Sequence, residues 1–379
     1  SGSRDARRVF CCSGGSGLAV PKVHITVSSS AGIAASMELE TASEISRPPS
    51  AFQRTSDRVF RAVSLLFAWA TILVVLYIVW EIGGQSVPAL EQYGFGFLTG
   101  QTWDPNREQY GILPEIWGTM YSSLLALLIG TVFGVAVAIF LNEGYLGGAT
   151  YGILKLFGVH LHPVYSRLPS ALENLLKNLV ELLAAIPSVV YGLWGIFVVI
   201  PLIRPACNWL HENMEWFPLF STPLSGPGML PASLVLAIMI LPTIAAISRD
   251  ALVAVPPKLR EASYGLGATR WETLLAVILP TAAGGIFGAV VLAFGRALGE
   301  TMALAMLVGN ANRISVSLFS PGNTLAALLA NNFAEAGGDE TKVAVLMYAG
   351  LVLMAITLLV NMFGAFILQR STAGLKGLN

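Results

Sequence analysis

Charge is what this sequence has least of. Of its 379 residues only 12% are Asp, Glu, Lys or Arg, against about 25% in an ordinary soluble domain. So little charge leaves too few polar groups to coat a water-soluble globule of this size. What charge there is balances, 22 basic against 22 acidic residues, so no basic field points to nucleic acid. Cysteine is scarce too: Cys11, Cys12 and Cys207 make neither a disulfide framework nor a metal site. His160 and His162 stand close together but no Cys or acid cluster joins them, and they read as solvated loop residues rather than zinc ligands. None of the lysines (Lys22, Lys155, Lys177, Lys258, Lys342, Lys376) follows a glycine, so there is no G-x-x-x-x-G-K-[ST] loop to hold ATP. No Ser/His/Asp arrangement marks a nucleophile. Neither a cofactor nor an enzymatic activity of its own is expected.

What the chain has in abundance is apolar residues, 55% of the total, gathered in runs long enough to cross a membrane. A helix needs about 20 such residues to span the hydrocarbon core. Five stretches free of charge meet that length, and a sixth, residues 284–309, carries only Arg296 and Glu300. None alternates as barrel strands do. The expected fold is therefore all-α, a polytopic membrane protein with about six spans, near residues 62–82, 114–141, 180–203, 229–247, 284–309 and 343–369. Residues 56–379 would form this membrane domain. Residues 1–55, rich in Ser, Ala and Gly, read as a disordered cytoplasmic tail, with no apolar core of a cleaved signal peptide. The glycine-rich segment 13–17 lacks the strand and helix that a phosphate loop requires.

Basic residues collect on the cytoplasmic side of membrane proteins. Counted against these spans, seventeen Lys and Arg fall on the side holding both termini and four (Arg107, Arg204, Arg313, Lys342) on the other, with Arg296 inside a span. Both termini are expected in the cytoplasm. Trp69, Trp80, Trp103 and Trp117 fall near span ends and read as interfacial anchors.

Among the loops on the basic side, residues 249–280 carry the most information. Pro256-Pro257 suits a helix start, Glu261 falls in its early turns, and Gly265 and Gly267 are placed to end it. A second short helix bearing Trp271 would lead into span five. The sequence Glu261-Ala-Ser-Tyr-Gly-Leu-Gly267, followed by Val277-Ile-Leu-Pro280, resembles the EAA loop of ABC-importer permeases. Glu261, Ala262, Gly267, Leu279 and Pro280 match in register, while Ser263 and Val277 depart mildly. Further stretches, Trp103-Asp-Pro-Asn106 with Tyr110-Gly-Ile-Leu-Pro-Glu-Ile-Trp-Gly-Thr119, Glu181 to Gly195, and Gly295-Arg-Ala-Leu-Gly-Glu-Thr-Met-Ala303, resemble the PstC-type permeases of bacterial phosphate-specific importers. The resemblance covers roughly residues 60–369; the tail has no counterpart, and loop 147–177 is longer than usual.

The resemblance implies a type I ABC-importer permease in the inner membrane, itself non-catalytic. It implies a PstA-type sister permease, PstB-type ATPase subunits and an external PstS-type phosphate-binding protein, with the EAA loop docking on the ATPase. It also ties the Arg296–Glu300 stretch to phosphate passage. Another oxyanion such as sulfate or molybdate is the alternative cargo. An ion-coupled secondary transporter is the alternative class, although no inverted repeat is visible. A charge at mid-bilayer costs roughly 2.5–3.5 kcal/mol on insertion scales. Arg296 and Glu300, four residues apart, are expected on one face of span five, either pairing with each other or lining a wet pathway. There a guanidinium offers a planar fork of donors to phosphate. Pro187 and Tyr191 are candidates for a kink at that pathway or for packing, and Asn310 and Asn312 for its outer mouth or a helix cap.

Overall fold

The computed structural model describes residues 50–143 and 168–376. Cys11, Cys12, the glycine-rich segment, His160, His162 and most of the long loop lie outside the described residues. Six helices there are long and apolar enough to cross a membrane. Chain contacts divide the protein into two units, Ser1–Leu73 and Val74–Asn379. What is described of the first is helical from Ala51, so the last five residues of the stretch read as tail are helical, with Phe67 and Leu73 exposed.

The helices, in chain order, are α1 (Ala51–Tyr93), the short α2 (Gly96–Thr99), α3 (Leu113–Glu143), α4 (Leu168–Ala185), α5 (Ser188–Met214), α6 (Met229–Val253), α7 (Pro257–Gly265), α8 (Arg270–Leu298), α9 (Met302–Leu307), α10 (Leu325–Ala336) and α11 (Glu340–Lys376). A two-residue hairpin, β1 (Trp103–Asp104) against β2 (Gln109–Tyr110), joins α2 to α3. Apolar runs become helices because only a helix satisfies its own backbone in lipid. Both α5 and α8 contain one widened turn, at Gly195–Val199 and Leu274–Ile278. Each turn closes where a proline follows: the amides of Ile200 and Leu279, just before Pro201 and Pro280, bond five residues back, to Gly195 and Leu274. The wide turn lets the helix carry a residue without an N–H and stay continuous.

The core of the second unit is built on α6. Its partner α3 approaches closely at Gly130 and Gly134, where a Cβ would press on Ile240 and Ile244. Small residues at such crossings let backbones meet without help from a hydrophobic effect that lipid does not supply. α8 packs on α6 and on α11, with Gly285 against Ala251 and Gly364 against Val291.

At one end of the bundle the loops interlock. The amides of Gly228, Met229 and Leu230 donate to the carbonyls of Leu307, Ser320 and Leu318. Trp117 Nε1 donates to the Ser315 carbonyl, and Trp103 packs edge-on to Tyr110. Both indoles, expected as interfacial anchors, thus also make contacts within the chain. The start of α3 grips residues 323–325: Thr119 Oγ1 accepts from the Leu325 amide at 2.9 Å and Asn323 Nδ2 donates to Glu115 Oε1 at 3.4 Å, with Glu115 fully buried. At the head of α11 the amide of Lys342, together with its ammonium and the Thr341 amide, holds the Asp339 carboxyl below its ordinary range.

Gly118 sits in this grip, and a Cβ there would overlap the Asn323 carbonyl oxygen. Gly118→Ala sets a helix-propensity gain of up to about 1 kcal/mol against overpacking of about 1–3 kcal/mol on rigid backbone. The clash should win. Thermal unfolding of the detergent-solubilised variant should show a lowered midpoint; an unchanged or raised midpoint would mean that the contact is slack.

Candidate functional site

The apolar runs at residues 180–203 and 284–309, each expected to form one span, are both interrupted. In the first, α4 ends at Ala185 and α5 begins at Ser188, leaving Ile186-Pro187 outside helix. Pro187 has no N–H, so the carbonyl four residues back, Leu183, loses its helical partner. The hydroxyl of Tyr191 takes that place, donating to the Leu183 carbonyl at 2.7 Å, with its ring buried. In the second run α8 ends at Leu298, Gly299-Glu300-Thr301 is non-helical, and α9 starts at Met302. Glycine is a poor helix former, and the Gly299 backbone turns out of the helix at φ −93° and ψ 2°.

This second break corrects the expected geometry of the charged pair. Arg296 is in the last turn of α8, whereas Glu300 lies in the break, so the two do not share a helical face. They form no ion pair among the described residues. Arg296 is exposed and Glu300 half-buried.

The two breaks are brought together by close packing of α5 on α9. A Cβ on Gly192 would lie 2.7 Å from Met306 Sδ and 3.4 Å from Ala303 Cα, and one on Gly195 would press on Leu307. Beside Arg296, a Cβ on Gly295 would lie 2.9 Å from Asn361 Oδ1 on α11. Arg296 and Glu300 thus lie at the second break, Tyr191 lies beside the first, and Asn361 of α11 lies against Gly295. Non-helical backbone at membrane depth is tolerated where it is buried in protein or lines a wet cavity, and paired discontinuous helices are how transporters build midplane binding sites.

Asn361 escaped the sequence reading, although a lone amide in the apolar run Leu358-Leu-Val-Asn-Met-Phe363 was its signal. Glu115 did too, an acid just inside an apolar span. Asn310, by contrast, caps α9, its Nδ2 donating to the Ala305 carbonyl at 3.0 Å.

The second functional element is the loop at the opposite end of α8. α7 starts on Pro256-Pro257, Gly267 takes φ +85°, and Thr269 with Glu272 forms a reciprocal cap that starts α8. A hydroxyl contact of 2.9 Å between Ser263 and Thr273 fastens α7 to α8. Glu261 and Ala262 are exposed on α7, Pro280 is exposed and Leu279 half-buried on α8. Apolar side chains project from this element, Leu266 90% exposed and Trp271 62%. α8 then runs unbroken for 29 residues, about 43 Å at 1.5 Å per residue, from Trp271 to the Arg296 turn.

Residues 156–373 match the family described as binding-protein-dependent transport system inner membrane component. The chain belongs to this family. It is similar to a protein of Mesorhizobium japonicum named phosphate transport system permease protein PstC, 38% identical over 84% of this chain and 91% of that one. A protein of Pasteurella multocida with the same name is 38% identical over 83% and 92%. One of Methanocaldococcus jannaschii, named probable phosphate transport system permease protein PstC, is 34% identical over 82% and 93%. Among solved structures, a bacterial alginate ABC transporter in complex with an alginate-bound periplasmic protein matches with a TM-score of 0.51, at 15% identity, over 83% of this chain and 96% of that one. That likeness speaks for the fold, the six-span importer permease. As a permease subunit the chain is a multi-pass membrane protein and not an enzyme; ATP hydrolysis belongs to a separate subunit.

Proposed function

We propose that this permease carries inorganic phosphate across the membrane, as the PstC-type subunit of an ATP-driven importer. The observation that carries the reading is Arg296, a guanidinium inside an apolar run with no ion-pair partner among the described residues, set in the last turn before a helix break. The names of the relatives support phosphate as the cargo. A guanidinium presents a planar fork that matches two phosphate oxygens. Glu300, close in sequence but unpaired, keeps the site from holding the anion too tightly and accepts a hydrogen bond from the monoprotonated form.

The partners are a PstA-type sister permease, PstB-type ATPase subunits and a PstS-type binding protein outside. The loop around Glu261, Ala262 and Gly267 docks on the ATPase through its exposed Leu266 and Trp271, and Leu279 and Pro280 lead that movement into α8. A single long helix is a stiff lever from this contact to Arg296. The seventeen-to-four distribution of basic residues supports both termini in the cytoplasm.

Two experiments test this reading. In the assembled complex, Arg296→Gln should abolish phosphate uptake while insertion and assembly persist, and Arg296→Lys should restore it only in small part. Because the two charges are not paired, Arg296→Gln with Glu300→Gln should stay inactive; full uptake by the double variant would refute a pathway role. Orientation and docking are read together by thiol labelling. Asn106→Cys should react with an impermeant reagent from outside, and Leu266→Cys only in inverted vesicles, where its modification should stop ATP hydrolysis from being coupled to transport out of the lumen. The reverse labelling pattern would overturn the orientation.

A further inference from the structure

Tyr191 and Pro187 act on the same atom. Pro187 withdraws the N–H that would have bonded the Leu183 carbonyl, and Tyr191, eight residues beyond Leu183, supplies an O–H in its place at 2.7 Å. A carbonyl left unpaired at this depth would carry a desolvation penalty, so the break persists because the hydroxyl covers it. A side-chain hydroxyl differs from a helical amide in being releasable: rotation of one torsion breaks it without unwinding the backbone. The next residue, Gly192, packs directly on Ala303 of α9, two residues past the Thr301 end of the second break. The ring itself is buried, which fixes where the hydroxyl can go.

We infer that Tyr191 is a positioning residue of the transport step, a latch whose hydroxyl holds the Ile186–Pro187 break open where α5 packs on α9. The role rests on Arg296 lying in the substrate pathway. Closing the break with an ordinary helical bond would satisfy Leu183 equally well and would remove the non-helical backbone that the pathway needs. The latch is therefore more than a repair for a proline.

The pair of residues allows a test that separates the two roles. Tyr191→Phe keeps the ring and removes the latch. Pro187→Ala in the same chain returns an N–H to Leu183 without restoring the hydroxyl. With the complete importer in proteoliposomes, Tyr191→Phe should lower phosphate uptake at least tenfold and lower the thermal midpoint, while ATP hydrolysis continues. Adding Pro187→Ala should recover the midpoint and leave uptake low. Uptake by Tyr191→Phe within twofold of the native complex, or uptake recovered together with the midpoint in the double variant, would overturn the inference. A native complex that moved sulfate or molybdate in place of phosphate would overturn the cargo assignment alone, and the latch would then be read from the same variants with that anion.

Discussion

A guanidinium inside a membrane-spanning run has to be satisfied by something other than lipid, and in this permease it is not satisfied by the nearest carboxylate. Arg296 is exposed in the last turn of α8, and Glu300 is carried off the helix by the Gly299 break. With a cost of roughly 2.5–3.5 kcal/mol for an unassisted charge at mid-bilayer, the arrangement calls for water and an anion. The other features of the second unit follow from that need. A second break opens backbone at Ile186–Pro187, and Gly192 and Gly195 let α5 pack closely on α9, the helix that follows the Gly299–Thr301 break. Tyr191 covers the carbonyl that the Ile186–Pro187 break exposes.

The same geometry explains how a subunit without an ATP site can respond to one. α8 joins the exposed apolar loop at Leu266 and Trp271 to the Arg296 turn without interruption, its wide turn at Leu274–Ile278 absorbing Pro280. The helix ends at Leu298, so whatever displaces it moves the charged turn against the Gly299–Thr301 break. At the far end, loop 308–324 is tied to α3 through Asn323, Glu115 and Thr119. The segment beyond the break is therefore anchored to α3.

Much of this was legible in the sequence because membrane segments obey a single dominant rule. Long uncharged runs had to be helices, and the fold class and the number of spanning helices follow from them. The loop at Glu261–Gly267 was equally legible, since Pro256-Pro257 and Gly267 are local backbone signals that need no tertiary context, and Gly267 takes the positive φ it was expected to take. The interruptions were harder. Hydropathy averages over a break of two or three residues, so residues 284–309 read as one helix and Arg296 and Glu300 as neighbours on one face. Only packing, through Gly192 against Ala303 and Met306, reveals which broken segments meet. Asn361 was hidden for the opposite reason: one amide in a run of aliphatic residues carries no periodicity. The ties of the Trp103 and Trp117 indoles to the hairpin and to the Ser315 carbonyl were hidden as well, since they depend on tertiary contacts.

The account turns on whether the two helix breaks border a water-filled path, and thiol accessibility measures that directly. In a chain with Cys11, Cys12 and Cys207 replaced by Ser, single cysteines would be placed at Ser188 and Thr301, which flank the breaks and are half-buried. A third would be placed at Leu292, exposed on α8. In the assembled importer a water-soluble thiol reagent should modify Ser188→Cys and Thr301→Cys, with phosphate and ATP changing their rates, and should leave Leu292→Cys untouched in lipid. Cysteines at 188 and 301 as unreactive as the one at 292 would contradict it, because the breaks would then be dry.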